Sequence, residues 1–276
     1  MNDREIKMVA LDLDGTTLRD NHEISPRTVA AFKSAMDKGV HIVVSTGRVF
    51  SALPKQLFTI EGLEYVVTSN GAQITELATM NKIYENYLDP EDVVTIAEIL
   101  CGKDYSIEVF LDGTAYIDEE EFNEVRDHGS TYRDVNYILT TRHPVPHILD
   151  FLVANKDRVE NINVNFEFIE EKQKMWPVFG ALDNVTLTSS FVHNFELGGA
   201  TTSKADALKY LMDRLGVTKH QLMACGDSPN DGRMIDLAGI GVVMGNASEQ
   251  MKEKADYITD SNNEDGVAKA IEKFVL

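Results

Sequence analysis

Met8-Val9-Ala10-Leu11-Asp12-Leu13-Asp14-Gly15-Thr16-Thr17 decides the fold. Four apolar residues without alternation read as a strand covered on both faces, the pattern of a central strand in a parallel sheet. Two aspartates follow at its carboxyl end. Residues i and i+2 of an extended chain point to the same side, so Asp12 and Asp14 converge while Leu13 faces the core. Gly15 lets the chain turn sharply away. Open parallel sheets bind ligands outside the carboxyl ends of their strands, so place and residue type agree.

The segments around this stretch alternate between helix and strand. Ser25 is a natural cap and Pro26 a natural first residue for a helix to about Lys38, which Gly39 ends. Val40 to Ser45 and Tyr65 to Thr68 read as the next strands. Near the end of the chain the style returns. Ser203 can cap a helix to Leu215, with Leu208, Leu211, Met212 and Leu215 on one face and Gly216 beyond. Leu222 to Cys225 and Gly241 to Met244 read as buried strands, Tyr257 to Thr259 as a short edge strand, and Glu264 to Phe274 as a last helix. Strands alternating with helices predict an α/β fold with a Rossmann-like parallel-sheet core.

The middle breaks this rhythm. Asp89-Pro90 opens a helix carrying Val93, Ile96, Ala97 and Leu100. Ile107 to Leu111 and Thr114 to Ile117 flank Asp112-Gly113, a strong hairpin signal. Asn161 to Phe168 alternates, placing Ile162, Val164, Phe166 and Phe168 on one face, and Asn184 to Phe191 is strand-like. We read residues 87–196 as an inserted α+β module with a sheet open on one face. Residues 1–86 and 197–276 then form one core together. Arg126, Arg133, Arg142 and Lys172 of the insert offer cations to an anionic substrate, but the favoured reading is that they are surface residues.

Two carboxylates as close as Asp12 and Asp14 repel each other unless a cation sits between them. Mg²⁺ suits such a site, since it takes oxygen ligands from carboxylates and carbonyls. A second acidic turn, Gly226-Asp227-Ser228-Pro229-Asn230-Asp231, directly follows the strand Leu222 to Cys225. Alone, the first turn reads more readily as a site than as an acidic surface loop and the second reads equally well as either; the two at strand ends point to a shared site. Ser45-Thr46-Gly47-Arg48 ends the second strand and offers a hydroxyl and backbone N–H groups to phosphate oxygens. Lys204, in the first turn of the helix capped by Ser203, opposes the helix dipole unless an anion lies beside it.

The chain has 276 residues, about two domains' worth, and an apolar fraction of 43% that can fill a sizeable core. Lys and Arg number 26 against 45 Asp and Glu, a net charge of −19. That balance argues against nucleic-acid binding and against a polybasic membrane anchor. No apolar run reaches the ~18 residues of a membrane span. The charged start, Met1 to Lys7, does not read as a signal peptide. Cys101 and Cys225 stand far apart outside metal-type spacing and read as free thiols, which favours a cytoplasmic location.

These residues together resemble the haloacid dehalogenase superfamily, in its Cof-type phosphatase group with a class IIB cap. The resemblance rests on Asp12-Leu13-Asp14-Gly15-Thr16, Ser45-Thr46-Gly47-Arg48, Ser69-Asn70-Gly71-Ala72, Lys204 and Gly226-Asp227-Ser228-Pro229-Asn230-Asp231. It extends through Gly245-Asn246-Ala247, Ala255-Asp256 and Glu264-Asp265-Gly266-Val267. It implies strand order 5-4-1-2-3 in the core and a mobile cap that sets specificity. It implies Asp12 as the nucleophile that forms an aspartyl-phosphate and Asp14 as the general acid and base. Mg²⁺ would be held by Asp12, the Asp14 carbonyl and Asp227, with Asp231 in support; Thr46, Gly47, Lys204 and Asn230 would hold the phosphoryl oxygens. Dehalogenases of this fold lack an Asp two places after the nucleophile and ion-pumping ATPases carry Thr there, so Asp14 favours phosphatase or phosphomutase chemistry. The expectation is a phosphatase for a small phosphorylated metabolite, with a sugar phosphate leading. It would have no nucleic-acid or membrane partner and would be a monomer or homodimer. A phosphomannomutase-like phosphomutase and a non-catalytic phospho-ligand sensor are the alternatives. Gly232-Arg233 after Asp231 departs from the family's usual apolar residue there.

Overall fold

The computed structural model describes residues 5–276; the first four residues of the charged start lie outside them. The chain divides into two compact units. One runs through Gly47 and takes in Leu53–Tyr84 and Ser203–Leu276; the other comprises Arg48–Ala52 and Glu85–Thr202.

The first unit is built on an eight-stranded sheet. Its order is Tyr257–Ile258, Ile240–Val243, Leu222–Gly226, Met8–Leu11, His41–Ser45, Tyr65–Thr68, Gln73–Glu76 and Asn81–Glu85. The first six strands are parallel neighbours, with Leu11 aligned to Cys225 on one side and Val44 on the other. The expected order 5-4-1-2-3 is therefore present, extended by a short strand at one edge and by two strands at the other. Met8–Leu11 is fully buried because both faces of the sheet are covered. Met8, Ala10, Val43 and Val67 pack with Ala207, Leu208 and Leu211 of the helix Lys204–Leu215. That helix begins where the sequence places it: the Ser203 side chain accepts from Asp206 N, and Gly216 ends it at φ 68°. Ser25 likewise caps Pro26–Asp37 by accepting from Thr28 N.

The second unit has a six-stranded sheet in the order Val185–Thr188, Asn194–Gly199, Val159–Asn165, Ser106–Leu111, Thr114–Asp118, Arg142–Val145. Asp112 and Gly113 both have positive φ, 51° and 75°, as a two-residue hairpin turn of type I′ requires. On one face Ile107, Val109, Ile162, Val164, Phe195 and Leu197 pack with the helices Pro90–Leu100, Ile148–Ala154 and Ile169–Phe179.

The other face overturns two expectations. It is not open: Glu108, Asn161, Asn163 and Glu196 are all buried there. Arg133 and Arg142 are not surface residues. Both side chains are 6% exposed and both are paired with the fully buried Glu108. Arg142 forms a two-pronged contact, Nε to Oε1 at 3.0 Å and Nη2 to Oε2 at 2.8 Å. Arg133 also reaches Glu121 at 2.8 Å. Two guanidiniums are drawn in because one carboxylate, desolvated by the sheet, needs partners. Phe168 also departs from the alternation: the strand stops at Asn165, and Phe168 is 62% exposed. Asn194–Gly199, which lies beyond the expected strand Asn184 to Phe191, is a strand paired to Val159–Asn165.

Arg48–Ala52 joins the second unit through its side chains. Val49 and Ala52 are buried with Phe110 and Ala115, and Ser51 N donates to Gly113 O at 2.9 Å. Among the described residues no helix is long and apolar enough to cross a membrane.

Candidate active site

The site residues gather at the carboxyl ends of the core strands. After Leu11 the chain makes a single tight turn over Leu13–Thr17, closed by Leu18 N donating to Leu13 O at 2.8 Å. Gly15 occupies it at φ 72°. A side chain there would be strained, and its Cβ would stand 2.6 Å from Asp227 Oδ2. Glycine at this position is what lets the two acidic turns approach.

Asp12, Asp227 and Asp231 each offer a carboxylate oxygen within 4.8 Å of the others. Lys204, almost fully buried, bridges two of them: Nζ donates to Asp12 Oδ1 at 2.6 Å and to Asp231 Oδ1 at 2.7 Å. The other Asp231 oxygen accepts from Asp227 N at 3.0 Å and Ser228 N at 3.1 Å. Asp231 is thus committed on both sides and acts as a brace for the turn. Asp227 is oriented by Thr16 Oγ1 at 2.8 Å and Ser228 Oγ at 3.0 Å. Thr17 Oγ1 donates to Asp12 O at 2.6 Å, and Asn246 Nδ2 to Gly15 O at 2.8 Å.

The electrostatics record a shortage of positive charge. Burial pushes the Asp12 carboxyl well above the usual range; Lys204 opposes this, while Asp231, Asp227 and Asp14 add to it. Burial, then Asp231, lift Asp227 to about 6. Burial works against the Lys204 ammonium, but Asp12 and Asp231 more than offset it and hold its pKa above the ordinary value. Three converging carboxylates with one ammonium among them fit a hard, oxygen-preferring divalent cation.

The remaining expected residues fall into two groups. Thr46 is buried beside the cluster's loops, its N donating to Val67 O at 2.9 Å and its O accepting from Asn70 N at 3.1 Å; Gly47 follows it, half-buried. Asn230 is half-buried, and its Nδ2 donates to Asn70 Oδ1 at 3.0 Å. Asp14 is not drawn into the carboxylate triple: it is exposed, in extended backbone at φ −73°, ψ 125°. Arg233, the departure from the family pattern, reaches out to Asp206 Oδ2 at 2.8 Å and leaves the acidic turn intact. Sequence reasoning gave no role to Thr16, Thr17, Ser228 or Asn246, the residues that orient the two turns; Thr16, Ser228 and Asn246 stood inside the family motifs and Thr17 directly after one, which was the available signal.

The family profile of haloacid dehalogenase-like hydrolases matches residues 9–271. The 5-amino-6-(5-phospho-D-ribitylamino)uracil phosphatase YcsE of Bacillus subtilis is 32% identical over 99% of this chain and 98% of its own length. A haloacid dehalogenase-like hydrolase structure from B. subtilis superposes with a TM-score of 0.85 at 30% identity, covering 97% of this chain and 99% of that one. A subclass IIB sugar phosphatase of the same superfamily shares the fold, with a TM-score of 0.81 at 22% identity over 97% of this chain and 98% of that one. The chain therefore belongs to the haloacid dehalogenase-like hydrolases, with the relatives it matches end to end among that family's phosphatases.

Proposed function

We propose that this chain is a Mg²⁺-dependent phosphomonoesterase for a small phosphorylated metabolite, with a sugar phosphate or phosphorylated polyol as the leading class. The carrying observation is the set of Asp12 and Asp231, both buried, and half-buried Asp227 around Lys204. The YcsE relative, named for a phosphoribityl substrate, supports the substrate class.

In this reading Asp12 is the nucleophile. Lys204 holds its Oδ1, which fixes the carboxylate so that Oδ2 attacks phosphorus and the ester oxygen departs. Asp14, exposed at the turn, gives that oxygen its proton and later takes one from the water that hydrolyses the aspartyl-phosphate. Thr46, the Gly47 backbone, Lys204 and Asn230 hold the phosphoryl oxygens. Asp12, Asp227 and the Asp14 carbonyl would hold Mg²⁺, with Asp231 bracing the turn behind them. When bound, the ion supplies neutralisation of the charge that carboxylates and phosphate bring together. The insert read as 87–196 is proposed to choose the leaving group, because the core loops hold groups suited to phosphate and metal.

The test is release of free phosphate from a panel of sugar, polyol and aryl phosphates, with Mg²⁺ and with chelator. Turnover should require the metal. Asp14→Asn should lose about 10²–10⁴ in rate on alkyl phosphates and less on aryl phosphates, whose leaving groups need no acid. An isomerised product in place of free phosphate, or equal losses on both substrate types, would overturn the reading.

A further inference from the structure

The turn Ser69-Asn70-Gly71 has no role in the chemistry above, yet its backbone is unusual. Three consecutive residues hold positive φ: 50°, 56° and 102°. Strain of this kind persists only where the surroundings impose it, and it gathers at functional sites. Here the surroundings are three parts of the phosphate site. Asn70 N donates to Thr46 O at 3.1 Å. Gly71 lies so close to the start of the Lys204 helix that a Cβ would meet Ser203 O at 2.2 Å. Asn70 Oδ1 accepts from Asn230 Nδ2 at 3.0 Å.

Asn70 is 4% exposed, and its Nδ2 is buried with no partner; Asn230 Oδ1 is buried with no partner as well. A turn shaped for its own stability would not leave a donor and an acceptor unmet side by side. The two amides can make one hydrogen bond between them in either of two orientations. In the one described, Asn230 donates to Asn70 and is left with an oxygen. With both amides turned over, Asn70 donates to Asn230, which is left with its N–H₂. A phosphoryl dianion accepts hydrogen bonds and does not donate them; the first orientation commits one of the two Asn230 N–H donors to Asn70 and turns its oxygen outward, whereas the second frees both donors, so the second serves the dianion better.

We propose that Asn70 is a positioning residue of the phosphate site: by turning over with Asn230, it converts the Asn230 amide from acceptor to donor when a phosphoryl group arrives. The proposal rests on the phosphatase reading and adds to it a residue that acts only through another.

Two variants test it. Asn70→Gly removes the amide and suits the positive φ. Asn70→Asp keeps the shape, tolerates the same backbone and can only accept, so it locks Asn230 in the orientation that turns its oxygen outward. Affinity for inorganic phosphate in Mg²⁺ is measured by calorimetry, and KM and kcat with p-nitrophenyl phosphate; melting temperatures accompany both. Each variant should weaken phosphate binding about tenfold, the size of one hydrogen bond to a charged group, and raise KM more than it lowers kcat. In an Asn230→Ala background either change should have an effect below about twofold, since the residue it acts through is gone. Should Asn70→Gly fail to fold, Asn70→Asp decides. Unchanged phosphate affinity in Asn70→Asp, or equal losses with and without Asn230, overturns the proposal. Absence of wild-type turnover would instead strike the phosphatase reading.

Discussion

The core and the inserted unit each bury an ionic group, and the two are balanced in opposite directions. In the core three carboxylates, Asp12, Asp227 and Asp231, surround one ammonium. In the insert two guanidiniums, Arg133 and Arg142, meet the fully buried Glu108, Asn163 Nδ2 adds a hydrogen bond at 2.9 Å, and Arg133 also pairs with Glu121. Burial raises the pKa of both Asp12 and Glu108. In the core the neighbouring carboxylates push the same way, and Asp227 rises to about 6. In the insert Arg142 and Arg133 outweigh burial and hold Glu108 at about 2. The core group is short of positive charge and would gain by taking a cation; around Glu108 the two guanidiniums supply enough. The contrast sets the candidate site apart from the ion pairs of the insert by charge balance alone.

The sharpest way to break that contrast is to remove one carboxylate from each side. Asp12→Asn should cut turnover by at least ~10³, as loss of a covalent catalyst does. Because it also relieves crowding, the metal-free protein should keep its melting temperature or gain. A melting temperature that collapses together with activity would place Asp12 among the structural groups. Glu108→Gln should do the reverse, destabilising the protein by about 3–5 kcal/mol in urea unfolding because buried Arg142 loses its carboxylate and Arg133 keeps only Glu121. A loss under about 1 kcal/mol, the size of an exposed pair, would mean that the insert's group is not closed.

Two smaller effects refine the comparison. Mg²⁺ should raise the metal-free melting temperature, by the equivalent of about 2.7 kcal/mol at a hundredfold excess over its Kd. Asp227→Asn should remove most of that shift and Glu108→Gln none of it; an undiminished shift in Asp227→Asn would point to a binding place elsewhere. The last effect is one of pH. Glu108 has a folded pKa of about 2 against an ordinary 4.5. Between those values the unfolded chain binds more protons, so the group's contribution is intact above the ordinary value and is lost as pH falls toward 2. The stability gap between wild type and Glu108→Gln should narrow by about 2 kcal/mol from pH 5 to pH 3. A constant gap would mean that Glu108 is not held ionised by its arginines.

What was legible in the sequence follows the range of the interactions. The strand Met8–Leu11, the caps Ser25 and Ser203 and the Asp112-Gly113 hairpin are written within a few residues, and each formed as read. The acidic turns were legible because strand ends in a parallel sheet converge, although Asp12 and Lys204 meet across 192 residues. Burial of Arg133 and Arg142 was not, because it depends on Glu108, 25 and 34 residues away, and guanidiniums are ordinarily exposed. Asn194–Gly199 was hidden by its glycines, which read as loop until a neighbouring strand supplies the ladder. Gln73–Glu76 and Asn81–Glu85 are short and polar, and give no periodic signal of their own. Asn70 was visible as part of a motif, but its partner lies 160 residues on and its orphaned atoms exist only in three dimensions.

The small segment Arg48–Ala52 has a practical consequence for anyone wishing to trade inserts among relatives. The chain passes from one unit to the other four times, at 47/48, 52/53, 84/85 and 202/203. A graft that transplants only 85–202 leaves Val49 and Ala52 behind in the recipient, and with them the plug over Phe110 and Ala115. The donor's sheet then meets a foreign plug, or an unfilled gap whose cost grows with its volume. Chimeras that carry this five-residue piece along with the insert should express and fold better than those cut at the apparent borders.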